Sequence, residues 1–240
     1  MVEILIGTGA VALVALGIAL WVRYLSRRQK VWRERLTGAI PVNSQFWRDR
    51  RLVPGQFLYV AIGDSAAQGI GASRPAHSYV GVIAKRLGDT FRVTNLGISG
   101  ATVRIAIDSE LPAFRKLKPD LVTVCIGAND IANFDPERFK ADIHELFDAL
   151  PAHAIVSDLP SFYFLPGEKK VVIANRIIRD AAAERGLTVA PLHARTKKQG
   201  LWGVSTQFAG DLFHPNDRGY RIWASAFEPA VDARVREITG

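Results

Sequence analysis

The chain has 240 residues, a formal net charge of +8, 48% apolar residues and a single cysteine. That length holds one sizeable α/β domain plus an extension, and the apolar share supplies a packed core, which excludes a disordered chain. Cys125 has no partner for an internal disulfide, and it sits in an apolar run compatible with a reducing compartment. In chain order, residues 4–22 come first and carry no charge. The run is about as long as the ~20 apolar residues that cross a bilayer core as a helix. No Lys or Arg precedes it, and it ends Leu20-Trp21-Val22-Arg23, a poor cleavage site, so an uncleaved anchor over 1–23 is expected. Trp21 and Tyr24 suit a membrane interface.

Residues 23–51 hold nine Lys/Arg against Glu34 and Asp49, whereas residues 52–240 have a net charge of only +2. The basic excess therefore lies beside the expected anchor, where it meets anionic head groups. The near-neutral remainder lacks the footprint of a nucleic-acid binder. Basic residues on the C-terminal flank alone predict a membrane protein whose domain faces the cytoplasm. Residues 24–37 read as a basic helix and those through Pro41 and Pro54-Gly55 as a connector, giving a juxtamembrane segment and linker over 24–55.

From residue 56 to 240, strand and helix patterns alternate. Strands are predicted over 57–62, 91–96, 121–126, 154–157 and 187–192. Helices are predicted over 79–87, 103–116 (shifted at Pro112), 139–150, 171–185 and 219–238 (interrupted at Pro229). Such alternation gives βαβ units and a parallel sheet buried on both faces, with no repeat and no second domain. Ligands then sit beyond the carboxyl ends of the strands. Small and polar residues recur there: Gly63-Asp64-Ser65, Gly97-Ile98-Ser99-Gly100, Gly127-Ala128-Asn129-Asp130, and, after a long loop, Asp211-Leu212-Phe213-His214.

The stretch Ala61–Gly71, AIGDSAAQGIG, has its glycines at 63, 69 and 71, which fits neither a dinucleotide fingerprint nor a phosphate loop. Nor is it the G-x-S-x-G elbow. Ser65 becomes a nucleophile only if an oriented base takes its proton. Of five histidines, 144 and 153 read as surface positions, 77 as a cap or rim residue and 193 as a strand-end candidate. His214 is the strongest, because Asp211 three positions earlier can fold back onto its ring. A developing oxyanion needs donors; the N–H of Ser65, the N–H of Gly97 and the amide of Asn129 are available at strand ends. Each alone is equally a turn or cap residue.

Together these blocks resemble the SGNH hydrolases, or GDSL esterases/lipases, over about Phe57–Ala224. Gly63-Asp64-Ser65 looks like the first block and Asn95–Gly100 the second. Gly127–Asp130 looks like the third, and Asp211–Asn216 with Gly219-Tyr220 the last; Ala66 departs from the name-giving leucine. The resemblance implies a flavodoxin-like three-layer α/β/α sandwich and no metal or organic cofactor. It implies a triad of Ser65, Asp211 and His214, and an oxyanion hole of Ser65, Gly97 and Asn129. It also implies cleavage of a small or lipid-like carboxylic ester. Acyl transfer or deacetylation on envelope glycans uses the same residues, and a non-catalytic tethered module is the remaining alternative. The loop 161–166 (SFYFLP) and Trp202 either line an acyl pocket or pack as ordinary lid and core.

Overall fold

A 49-residue helix, α1 (Val2–Arg50), precedes a fold in which strands and helices alternate. The computed structural model describes the backbone of residues 2–240 and the side chains of residues 14–240. After α1 come β1 (Phe57–Gly63), α2 (Ser65–Gln68), α3 (Tyr79–Leu87) and β2 (Phe91–Asn95). Then follow α4 (Val103–Ser109), α5 (Leu111–Phe114), β3 (Leu121–Cys125), α6 (Pro136–Asp148) and β4 (Ile155–Ser157). The chain closes with α7 (Glu168–Glu184), β5 (Thr188–Ala190), α8 (Leu192–Lys197), α9 (Gly200–Thr206) and α10 (Asp217–Thr239).

All five strands pair in parallel in the order β2-β1-β3-β4-β5. Successive strand residues point to opposite faces, and the core divides accordingly. Leu58, Val60 and Ile62 pack with residues of α4, α6 and α7, while Tyr59 and Ala61 pack with α3 and α10. The result is the expected α/β/α sandwich with the flavodoxin-like strand order. Its strand order reverses at β1, which opens a crevice at the carboxyl ends of β1 and its neighbours.

Helix α1 departs most from the sequence reading. The break expected at Pro41 does not occur: the helix runs through it to Arg50. Proline removes one N–H and crowds the preceding turn, but contacts on both sides of Pro41 hold the helix straight onto the domain. Positions 25, 29, 32, 36, 40, 43 and 47, three or four apart, are buried or half-buried between exposed neighbours. Leu36 packs with Ile70 and Ala209, flanked by Trp32 and Ile40. Asn43 and Trp47 both donate to the carbonyl of Gln68, at 3.0 and 3.1 Å, each bond worth about 1 kcal/mol. Gln68 ends α2, so the segment expected to be a linker fixes the end of the helix that begins with Ser65.

The expected membrane-spanning helix is not borne out. Among the described residues no helix is long and apolar enough to cross a membrane. More than half of the run 4–22 falls on residues up to 13, whose side chains lie outside the described ones. Two smaller differences follow tertiary contacts: α10 passes unbroken through Pro229, and the long loop expected before Asp211 contains α8 and α9.

Candidate active site

The Ala61–Gly71 stretch turns the chain from β1 into α2. Asp64 caps α2, its Oδ1 accepting from the N–H of Ala66 at 2.8 Å, so Ser65 begins the helix in a fixed orientation. Ser65 is buried, and among the described residues its own N–H has no protein acceptor. Gly69 and Gly71 have φ of 84° and 95°, the left-handed region that favours glycine. At Gly71 a Cβ would stand 2.5 Å from the carbonyl oxygen of Pro215. That close approach seats the nucleophile turn beneath the loop that carries His214.

The last block delivers the base. His214 Nε2 lies 3.0 Å from Ser65 Oγ, and its Nδ1 lies 2.6 Å from Asp211 Oδ2. The other Asp211 oxygen accepts from the N–H groups of Phe213 and His214, both at 3.1 Å. Burial alone would raise the Asp211 carboxyl. The His214 ring and the two N–H donors outweigh it, and the carboxyl is held below its ordinary 3.8. It therefore stays ionised to receive a developing imidazolium. Leu212 takes φ of 58° to make this tight return. Behind it, Asn216 caps α10 and donates its amide to the carbonyls of Thr206 and Phe208, both at 2.9 Å. Ser65, Asp211 and His214 thus come together as expected.

The oxyanion donors come together only in part. Asn129 faces the cleft, but its amide donates to the carbonyl of Ala101 at 2.9 Å and to Asp64 Oδ2 at 3.3 Å. The longer bond is the one an oxyanion can replace. Burial pushes the Asp64 carboxyl up to about 6, against the N–H of Ala66 and the neighbouring His214, which pull it down. Gly97 is not brought into the cleft. Its N–H is occupied by Asn95 Oδ1 at 3.0 Å, and its carbonyl accepts from Gln68 Nε2 at 2.9 Å. The neighbouring Gly100 is the donor left uncommitted. It sits in the turn closed by the Ala101 N–H on the carbonyl of Ile98, with φ of 83°, and nothing lies within 4 Å of a Cβ built there. Among the described residues its N–H has no protein acceptor, and Ala101, which anchors the Asn129 amide, is next in the chain. Its signal in the sequence was the second glycine of Gly97-Ile98-Ser99-Gly100, which a type II turn requires at its third position.

Glu110 went unremarked in the sequence because it reads as one polar residue in a helical run. It is buried beneath the nucleophile strand, and its Oε2 accepts the N–H of Gly63 at 3.0 Å. Burial raises its carboxyl to about 9, the Gly63 donor pulling the other way, so it stands as a neutral acid at pH 7. The other histidines are engaged elsewhere. His193 pairs with Glu168 at 2.9 Å, His77 with Asp217 at 2.8 Å, His153 with the Pro119 carbonyl and His144 with Arg185. Among the described residues no group of His, Cys, Asp and Glu is placed to hold a metal ion.

A cleft of about 490 Å³ opens over Ser65, Asn129 and His214. Its walls are mainly apolar: Phe162–Leu165 from the loop after β4, Leu212 and Phe213 from the His214 loop, and Trp21 with Gln29 from α1. The SFYFLP loop is therefore pocket lining, whereas Trp202 is exposed and outside the lining. A second cleft of about 530 Å³ lies between the end of α1 and α3. It is as large, and Ser73 Oγ lies 2.9 Å from His77 Nδ1 at its edge, but that serine is exposed and its hydroxyl is tied to Asp217 Oδ2 at 2.6 Å, so chemistry rather than size selects the first.

A buried serine, a histidine within hydrogen-bond reach and a carboxylate orienting that histidine define the site of a serine hydrolase. Residues 61–222 match the GDSL-like Lipase/Acylhydrolase family, and the chain belongs to that family. Among solved structures it is similar to LAE5, an α/β hydrolase from the metagenome of Lake Arreo, Spain, at 22% identity and a TM-score of 0.62. That match covers 77% of this chain and 99% of the other. Axe2, an acetylxylan esterase from Geobacillus stearothermophilus, matches at 22% identity and a TM-score of 0.56, over 75% of this chain and 95% of its own. A member of the lipolytic G-D-S-L family from Veillonella parvula matches at 19% and 0.59, over 72% and 96%. At these identities the likeness is one of fold. No curated protein matches the sequence.

Proposed function

We propose that the protein hydrolyses carboxylic esters through an acyl-enzyme on Ser65. The observation that carries this is the line Asp211–His214–Ser65, at 2.6 and 3.0 Å. His214 takes the Ser65 proton as Oγ bonds to the ester carbonyl carbon. The charge that moves to the carbonyl oxygen is met by the N–H of Ser65, the amide of Asn129 and the N–H of Gly100. Asp211 stabilises the imidazolium, which then gives its proton to the departing alcohol as the C–O bond breaks. Water, deprotonated by His214, attacks the acyl carbon and releases the acid and Ser65. If another alcohol enters in place of water, the same residues transfer the acyl group.

The apolar walls and volume of the cleft support an ester with a short-to-medium acyl chain rather than an acetylated sugar. A volume near 490 Å³ falls in the range of about 300–1,000 Å³ that accepts a whole small molecule. The test is a nitrophenyl ester series from acetate to decanoate, assayed on the full chain beside Ser65→Ala. Activity that the serine variant retains removes the nucleophile assignment. Activity confined to acetylated sugars removes the chain-length preference alone.

A further inference from the structure

Helix α1 lies outside the residues matched by the family, yet it supplies a wall of the catalytic cleft. The buried stripe of α1 ends at Leu25, and Trp21, one turn earlier, stands exposed at the mouth. Around the same mouth, Phe164 is 69% exposed and Leu165 54%, with Phe213 at 48%. These apolar side chains come from three separate segments and converge on one opening. Tyr163, beside Phe164, takes φ of 57°, a left-handed conformation held at some cost. Large exposed apolar patches of this kind mark interaction surfaces.

The charge pattern of α1 identifies what meets this surface. Before Trp21, the exposed residues Val14, Leu16, Ile18 and Leu20 are apolar. After Val22 the exposed residues include Arg23, Arg27, Arg28, Lys30 and Arg33. The change from apolar to basic thus falls at the level of the cleft mouth. An apolar zone with a tryptophan at its edge and a cationic belt behind it matches the layering of an anionic lipid surface: acyl region, interface, head groups.

On the ester-hydrolase reading above, we propose that the mouth of the cleft docks on an anionic lipid surface and draws its acyl ester from that surface. Trp21, Phe164, Leu165 and Phe213 enter the interface, and Arg23, Arg27, Arg28 and Lys30 hold the phosphate-bearing head groups. The ester then reaches Ser65 along the apolar walls without crossing bulk water. No bilayer-spanning segment is required.

The test uses the full chain and two probes: nitrophenyl acetate free in water, and nitrophenyl decanoate dissolved in vesicles. Vesicles of phosphatidylcholine alone are compared with vesicles containing phosphatidylglycerol. Decanoate turnover is expected to be about tenfold faster in the anionic vesicles, and to lose that gain in high salt. Arg27→Glu with Arg28→Glu is expected to abolish the gain while leaving acetate turnover as it was, since neither arginine lines the cleft. Phe164→Ser is expected to lower the ratio of decanoate to acetate turnover about tenfold. Co-sedimentation of Ser65→Ala with the two kinds of vesicle reads docking without turnover, and binding only to the anionic ones is expected. Decanoate turnover and binding that ignore vesicle charge and both variants overturn the proposal and leave ester hydrolysis standing. Turnover equal in the wild type and Ser65→Ala instead overturns the function on which it rests.

Discussion

The floor and the mouth of the catalytic cleft are built on opposite principles. On the floor, Ser65, Asp64 and Asp211 are buried, and their side chains are held by named hydrogen bonds. At the mouth, Trp21, Phe164, Leu165 and Phe213 are large, apolar and exposed. The floor comes from the β1–α2 turn and the loop after α9, inside the family-matched residues, and part of the mouth comes from α1, outside them. The contrast separates two tasks. Positioning at the floor sets the rate of bond making, where a displacement of an ångström is costly. On the proposed function, apolar area at the mouth would set which ester arrives, and small changes there would shift selectivity.

That division is open to attack from its strongest point downward. Ser65→Ala and Asp211→Asn are expected to lower turnover by about 10⁴-fold or more without changing the melting temperature much. Steady-state kinetics beside thermal melts check this, and equal loss of stability would transfer these residues from chemistry to architecture. Trp47→Ala is expected to cost about 3–5 kcal/mol of stability. It removes a buried ring and a bond to the last carbonyl of α2, and denaturant titration measures the loss. A chain begun near residue 52 should show the same weakness, because it lacks Leu36, Asn43 and Trp47 altogether.

Asn129→Ala is expected to lower kcat by roughly 10²–10³-fold with little change in KM. Gly97→Ala is expected to act differently. Its N–H remains, but the added Cβ would stand 2.8 Å from that of Ala67, so the melting temperature should fall more than kcat. A kcat loss with the melting temperature unchanged would show that Gly97 acts on the reaction rather than on packing. The last effect, at Glu110, is set by pH. Its folded carboxyl is raised to about 9 from an ordinary 4.5. The stability of its protonated form is therefore fully present below about 4.5 and drains away as pH rises through about 9. Glu110→Gln should melt higher than the wild type at pH 8, and the gap should close towards pH 5.

Much of the floor was legible in the sequence. Apolar strand runs alternating with helices and ending in small and polar residues located the rim, and the Asp-x-x-His spacing located the base. Gly97 misled because a glycine at a strand end was weighed without asking where its N–H points. Asn95, two residues earlier, occupies it, whereas Gly100 is left open by the turn it makes. Helix α1 misled for a different reason. Its apolar run was read as a bilayer-spanning anchor, and Pro41 as a break. The repeat Leu25, Gln29, Trp32, Leu36, Ile40, Asn43, Trp47 was in plain view at helical spacing. Two polar members and a proline in its midst hid a stripe that its contacts with α2, Ile70 and Ala209 explain. The mouth was legible only in the loop 161–166, weighed as pocket lining; that it meets residues 21 and 213 exists only after folding.

The central claim, an acyl-enzyme on Ser65, is tested most directly by trapping. The full chain is treated with a fluorophosphonate, which esterifies an activated serine, and the labelled peptide is read by mass spectrometry. A single adduct on Ser65 is expected, forming with the loss of ester hydrolysis and far more slowly in His214→Ala. An enzyme that goes on hydrolysing esters with Ser65 unlabelled, or that carries the adduct elsewhere, would contradict the account.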